Sequence, residues 1–318
     1  MDNRLILDKN NIWVVPQKTS STISYPERGN DRCFSIEDES FWFRFRNDAI
    51  LTLIEKFPFA KDFVDIGGGN GFQLQELSRK LPDRTLALVE PGYAGCLNAK
   101  SRGLDNVYNT NIQDFPFAKY DIDGVGLFDV IEHIEDAFSF LEDISARTPK
   151  NTRIYITAPA YGWLWSHHDI NAGHVRRYDA KALRELAMRC EMRTLYAGYF
   201  FSYLVLPAFL LRTVPYRLGI VKTNIAKDTN KSISKTPCAV IPAKAGIQCF
   251  QGVLDCPIKS GNDNECDFTN GLLSKPTQHA PGDFILNLLK KLHALEMRRF
   301  AKKGISLGLS CAAVFETR

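Results

Sequence analysis

Apolar runs alternate with amphipathic stretches through the middle of this chain. Residues 62 to 66, 85 to 90, 106 to 109, 122 to 129 and 152 to 158 read as buried strands. Between them, 71 to 81, 93 to 102 and 136 to 147 carry apolar residues at helical spacing. A further strand is expected near 193 to 200, and a last one within Ser306 to Thr317, where Leu309, Ala312, Val314 and Phe315 fall. Alternation at this period implies crossover units, and so an α/β chain with a parallel sheet and helices on both faces. A ligand of such a sheet lies at the carboxyl ends of its strands.

The first of these strands ends in chemistry. Phe63-Val64-Asp65-Ile66 runs into Gly67-Gly68-Gly69-Asn70-Gly71-Phe72. Glycines 67, 69 and 71 let the backbone turn off the strand and approach a ligand, with the N–H groups of the next helix aimed at it. A dinucleotide fingerprint would need a third glycine where Phe72 stands. The pattern present is D-x-G-x-G-x-G, and Glu90 follows at the end of the second apolar run, Leu86-Ala87-Leu88-Val89, where an acid can take both hydroxyls of a ribose. Asp65, Glu90, Asn111 and Asp129 all fall at or just past strand ends.

These residues, with Phe128-Asp129-Val130-Ile131-Glu132-His133-Ile134-Glu135 after the fourth strand and Thr152 to Pro159 in the fifth, resemble the class I S-adenosylmethionine-dependent methyltransferases of the broad small-molecule group. The resemblance covers residues 60 to 160 in the right order. It implies a Rossmann-like seven-stranded sheet, six strands parallel and the last antiparallel. It also implies S-adenosylmethionine as cofactor, held by Asp65, Gly67, Gly68, Gly69, Gly71, Glu90, Asn111, Ile112 and Asp129. Asn111 departs from the aspartate usual beside the adenine, although its side-chain oxygen can still accept a hydrogen bond.

Two further clusters bear on the acceptor. Glu39-Ser40-Phe41-Trp42-Phe43-Arg44-Phe45-Arg46-Asn47 leads into an apolar helix, Ile50 to Phe57. Such aromatics either cover an edge of the sheet or, as a similar Phe-Trp-Phe-x-x-Arg-Asn block in a subgroup of these enzymes implies, form a lid with Trp42 near the substrate. After the fifth strand come Ser166-His167-His168-Asp169 and Gly173-His174-Val175-Arg176-Arg177-Tyr178, a segment that overhangs the cofactor in this fold. Asp169, Arg176, Arg177 and Tyr178 are read there as substrate-facing, the arginines with forked donors suited to an anionic group. Methyl transfer asks mostly for in-line positioning, but the nucleophile must lose a proton. His133, His168 and His174 are the candidate bases, because imidazole titrates in the needed range. A solvated loop is the bland alternative for the whole segment.

Composition is that of an ordinary folded enzyme: 318 residues, 45% hydrophobic, 24% charged. A net charge of +4 is too weak to argue for nucleic acid, and a small-molecule acceptor is expected. Eight cysteines without a C-x-x-C pair indicate no zinc or redox motif and are read as reduced thiols. No metal is expected. The segment Met1-Asp2-Asn3-Arg4 lacks the features of a signal peptide, so a cytoplasmic enzyme is expected.

The last third is less regular. Tyr199 to Leu211 is almost continuously apolar but too short for a confident membrane span. Phe284 to Lys303 reads as a basic amphipathic helix, with Ile285, Leu288, Leu289, Leu292 and Leu295 at helical spacing. It either docks on its own domain or, with 199 to 216, touches a membrane surface. Between them, Ala239 to Gln248 and Lys259 to Asp263 resemble the two arms of a translated bacterial intergenic inverted repeat, pointing to a bacterial source. The expected organisation is a lead over 1–35, a methyltransferase domain over 36–229 and 281–318, and a disordered repeat-derived insertion over 230–280. The transferred methyl would go to an oxygen, nitrogen or carbon of a small, lipid- or glycan-linked acceptor. A degenerate, non-catalytic scaffold of the same fold and a nicotinamide-dependent oxidoreductase are the competing readings.

Overall fold

The computed structural model of the chain describes residues 5–16, 27–220 and 281–318. Nine strands form one sheet: β1 Ile6–Leu7, β2 Trp13–Val14, β3 Asp62–Ile66, β4 Leu86–Val89, β5 Asn106–Asn109, β6 Ile122–Phe128, β7 Arg153–Pro159, β8 Arg193–Phe200 and β9 Ser310–Glu316. Their order is β1-β2-β5-β4-β3-β6-β7-β9-β8. The strands β5, β4, β3, β6 and β7 pair in parallel, and β9 lies antiparallel to both β7 and β8. These seven strands are the expected sheet.

The two additional strands correct the expected count and the expected loop-like lead. Asp8 accepts hydrogen bonds from the backbone of Asn10 and Ile12, at 2.8 and 2.9 Å, which closes a turn of the kind short acidic side chains favour. Ile12 is buried, Trp13 stacks on Tyr108, and β2 extends the parallel sheet beyond β5. Two-residue strands are too short to show a period. Helix α1, Glu27–Glu37, also replaces expected loop, and packs on α4, Tyr93–Ser101.

Alternate residues of β3 enter different cores, as both faces of a parallel sheet must be covered. Phe63 joins Trp42, Phe43, Leu53, Phe200 and Phe300 on the side of α2, Phe41–Lys56, and the C-terminal helix Pro281–Lys302. Val64 and Ile66 join Leu141, Ile144 and Leu183 on the side of α5, Ala137–Arg147, and α7, Ala180–Arg189. The C-terminal helix docks on its own domain: His293 stacks on Phe45 at 3.9 Å and reaches Asp48, and Glu296 accepts from the Ser202 backbone at 2.8 Å. Leu288 and Leu295 of the expected apolar face are exposed. Cys96, Cys190 and Cys311 are buried free thiols, as the reading of reduced cysteines expects of them. The expected insertion over 230–280 lies outside the described residues.

Candidate active site

The loop between β3 and α3, Phe72–Lys80, holds the glycines where the backbone requires them. Gly67, Gly69 and Gly71 have φ of 73°, 54° and 74°, the left-handed region that side chains avoid. A Cβ on Gly68 would lie 2.7 Å from Leu88 and 2.9 Å from the Asp65 carboxylate. The loop therefore runs against the ends of β3 and β4, where Glu90 waits. Glu90 accepts from Gly69 N at 3.0 Å and Gly92 N at 2.6 Å, which leaves each oxygen a further acceptor position. Burial lifts its pKa to about 7, against the pull of those two bonds.

A cleft of about 200 Å³ opens beside it, lined among others by Gly67, Glu90, Asn111, Ile112, Val130 and Thr110. It gathers four of the expected cofactor residues from three different strand ends. The Thr110 hydroxyl is buried without a partner among the described residues, a donor that sequence reading missed.

Deeper in, the polar groups are underpaired. Asp65 is fully buried and neither of its carboxylate oxygens has a hydrogen-bond partner among the described residues. Burial raises its pKa to about 7, with the charge of Arg46 opposing and that of Glu90 adding. Arg46, on α2, forms a buried ion pair with Asp129, yet its Nε and Nη2 find no partner among the described residues. Asp129 sits at φ 58° just past β6, a strained conformation for a non-glycine residue, and also accepts from Thr157 at 3.0 Å. An unpaired buried donor or acceptor costs about 1–3 kcal/mol, so this arrangement fits a guest bearing both charges, as the amino-acid end of S-adenosylmethionine does. Arg46 was not singled out from the sequence, although the Phe-Trp-Phe-x-x-Arg-Asn block contains it.

Glu132 and His133 follow in the turn Ile131–His133. Glu132 is fully buried with neither carboxylate oxygen partnered among the described residues. Burial first, and the Asp129 charge second, hold its carboxyl well above the usual range. His133 meets His174 edge to face, ring centroids 4.7 Å apart. Burial and then the neighbouring His174 keep its imidazole neutral well below the usual value.

The overhanging segment divides. Asp169 is buried; burial acts to raise its pKa, but hydrogen bonds and charge from His174 and Arg177 hold it well below the carboxylate range. It bonds His174 Nδ1 at 2.9 Å and Arg177 at 2.7 and 2.9 Å, and it completes a capping box with Ser166 on α6, His167–Ala172. Asp169 and Arg177 are thus occupied in holding the segment, and Tyr178 donates to the Ile131 carbonyl at 3.2 Å. Arg176 is exposed and reaches the Glu135 carbonyl. His168, its pKa pushed down to about 2 by burial and by Arg212, lies apart from the His133–His174 contact. Trp42 is buried against Phe201 at 4.4 Å, as core more than as a cover over the cleft.

With this geometry in hand, the likenesses are informative. Residues 39–191 match the model of a family described as methyltransferase domain. Solved structures to which the chain is similar include a SAM-dependent methyltransferase from Archaeoglobus fulgidus, 13% identical over 87% of this chain and 100% of that one, TM-score 0.40. Another is phosphoethanolamine N-methyltransferase 2 of Haemonchus contortus in complex with S-adenosyl-L-methionine, 11% identical over 92% and 57%, TM-score 0.46. A third is an O-methyltransferase family 2 protein of Planctomyces limnophilus in complex with apigenin, 13% identical over 56% and 59%, TM-score 0.41. No curated protein matches the chain. Residues 39–191 form a methyltransferase domain of the class I S-adenosylmethionine-dependent type. S-adenosylmethionine is its cofactor, which sets aside the nicotinamide reading.

Proposed function

We propose that this enzyme methylates a hydroxyl oxygen of a small acceptor presented at a lipid surface, and that residues 36–229 with 281–318 make up the catalytic unit. The observation that carries the choice of oxygen is the cluster of Glu132, His133 and His174 past the end of β6, beside the Arg46–Asp129 pair. A hydroxyl must shed its proton as it attacks, and an imidazole beside it can receive that proton.

When bound, S-adenosylmethionine supplies a methyl already activated by its sulfonium. The protein's part is to bind and orient. Glu90 would take the ribose hydroxyls, Asn111, Ile112 and Thr110 would border the adenine, and the backbone of Gly67 to Gly71 would line the path between. Arg46 would face the carboxylate of the amino-acid end, with Asp65 and Asp129 toward its ammonium. The acceptor oxygen would bond to the methyl carbon as the carbon–sulfur bond breaks, its proton passing toward His133 or His174. Arg176, exposed and with only its Nη2 engaged on the Glu135 carbonyl, would meet an anionic group of the acceptor with its remaining donors.

The lipid surface is supported by Leu206, Leu210, Leu211, Leu218 and Ile220, all exposed beside Arg212 and Arg217. No helix among the described residues is long and apolar enough to cross a membrane. The test is transfer of labelled methyl from S-adenosylmethionine to matched hydroxyl, amine and activated-carbon acceptors, free and lipid-linked. Preference for the hydroxyl series supports the reading; methylation of amines alone would sink it.

A further inference from the structure

The Glu132 carboxylate is fully enclosed and lacks a hydrogen-bond partner among the described residues, although the imidazoles of His133 and His174 lie beside it, with the Asp129 and Arg46 charges near. One ligating atom from each of Glu132, His133 and His174 lies within 4.8 Å of those from the other two. Donor atoms around a tetrahedral divalent ion stand about 3.4 Å apart when metal–ligand distances are near 2.1 Å. Side-chain rotations of about 1 Å would close the group around one cation.

The His174 imidazole is also backed from behind. His174 Nδ1 bonds the Asp169 carboxylate at 2.9 Å, which places its proton there and leaves Nε2 with a lone pair. A metal-binding histidine characteristically has such an acceptor on its far nitrogen, fixing tautomer and orientation. The two elements are fastened before any ion arrives: Val175 N donates to the Glu132 carbonyl at 2.8 Å and Tyr178 Oη to the Ile131 carbonyl at 3.2 Å. Asp169, used up in holding His174 and Arg177, thereby acquires a purpose.

We infer that Glu132, His133 and His174 bind one first-row divalent cation of the zinc type, with a remaining coordination position open to the acceptor oxygen. Two imidazoles and one carboxylate are a donor set suited to such ions and less to magnesium, which prefers oxygen throughout. The catalytic half of this inference rests on hydroxyl methylation as proposed above; the binding half does not. With an ion in place, His133 and His174 would serve as ligands in place of their role as proton acceptors, and the coordinated acceptor O–H would lose its proton to water. The oxygen–methyl bond then forms as the sulfur–methyl bond breaks, leaving the neutral thioether and no net redox change.

The test uses the full-length protein, stripped with chelator and titrated with Zn²⁺ and, for its visible absorption, with Co²⁺. One equivalent should bind to the wild type, with a tetrahedral-type Co²⁺ spectrum, and affinity should fall at least a hundredfold in Glu132→Gln and in His174→Gln. S-adenosylmethionine affinity of metal-free Glu132→Gln, measured by calorimetry, should match that of metal-free wild type, which shows that the variant is folded. Absence of a stoichiometric ion in the wild type, or equal uptake by the folded Glu132→Gln, overturns the site. Stoichiometric uptake with no methylation of any hydroxyl overturns the hydroxyl reading and leaves the ion. Full transfer by the stripped enzyme overturns the ion's catalytic part.

Discussion

The two ends of the cofactor region are built on opposite plans. At the adenosine end, Glu90 already has the backbone N–H groups of Gly69 and Gly92, and the cleft beside it is formed by consecutive strand ends. At the transfer end, Asp65, Arg46 and Glu132 are buried with polar atoms left over. The first is a finished cradle that a ligand enters; the second is a set of charges that a ligand completes. The convergence of unpaired charged groups from α2, the end of β3 and the turn after β6 therefore marks where chemistry is to happen.

The largest expected effect breaks the transfer end. Arg46→Met leaves Asp129 buried without its partner, which should cost about 3–5 kcal/mol in denaturant unfolding and remove S-adenosylmethionine binding. The double variant with Asp129→Asn should regain much of that stability but not the binding; recovery of both would mean that Arg46 serves the fold alone. The adenosine end breaks differently. Gly69→Arg puts a large side chain at a left-handed position in the loop, and cofactor affinity should fall more than a hundredfold, about 2.7 kcal/mol, with far-ultraviolet circular dichroism preserved. Unchanged affinity would refute the assigned cradle.

Protons offer a gentler probe that touches both ends. Asp65 and Glu90 have pKa values raised to about 7, above unfolded values of about 4. Their raised values stabilise the native state below the unfolded pKa, and that contribution is lost as pH climbs through 7. Cofactor binding asks for the ionised acids, so its affinity should move the other way. The dissociation constant should fall about tenfold from roughly pH 6 to pH 8, with protons released on binding. A flat profile would mean that neither acid meets the ligand. The smallest effect lies outside both ends: Leu210→Ser with Leu211→Ser should change stability by no more than about 0.5 kcal/mol, as exposed positions do. It should nevertheless weaken cosedimentation with vesicles containing anionic lipid, and undiminished cosedimentation would remove that face from the membrane proposal.

The adenosine end was legible in the sequence because its residues are local. Gly67 to Gly71, Glu90 and Asn111 each follow a strand end, and the spacing of strands is periodic. The transfer end was legible only in fragments. Arg46 and Asp129 meet across the whole first half of the domain, and His133 meets His174 only because Asp169 and Tyr178 fold the segment back. No spacing rule connects those positions. The edge strands β1 and β2 escaped for a different reason, being too short to carry a pattern, and α1 lies in a stretch whose polar composition reads as loop.

The place of β9 sets the order in which this enzyme can be made. It lies between β7 and β8, so β8 has no neighbour in the sheet until a strand more than a hundred positions later arrives. Everything between them must be looped out first, and doubling the length of such a loop costs only about 0.6 kcal/mol. Equilibrium is thus tolerant of added chain there, while the clock is not: every residue gained prolongs the interval in which a growing polypeptide carries an unfinished sheet edge. On the ribosome, the seam between β7 and β8 should be the last to close.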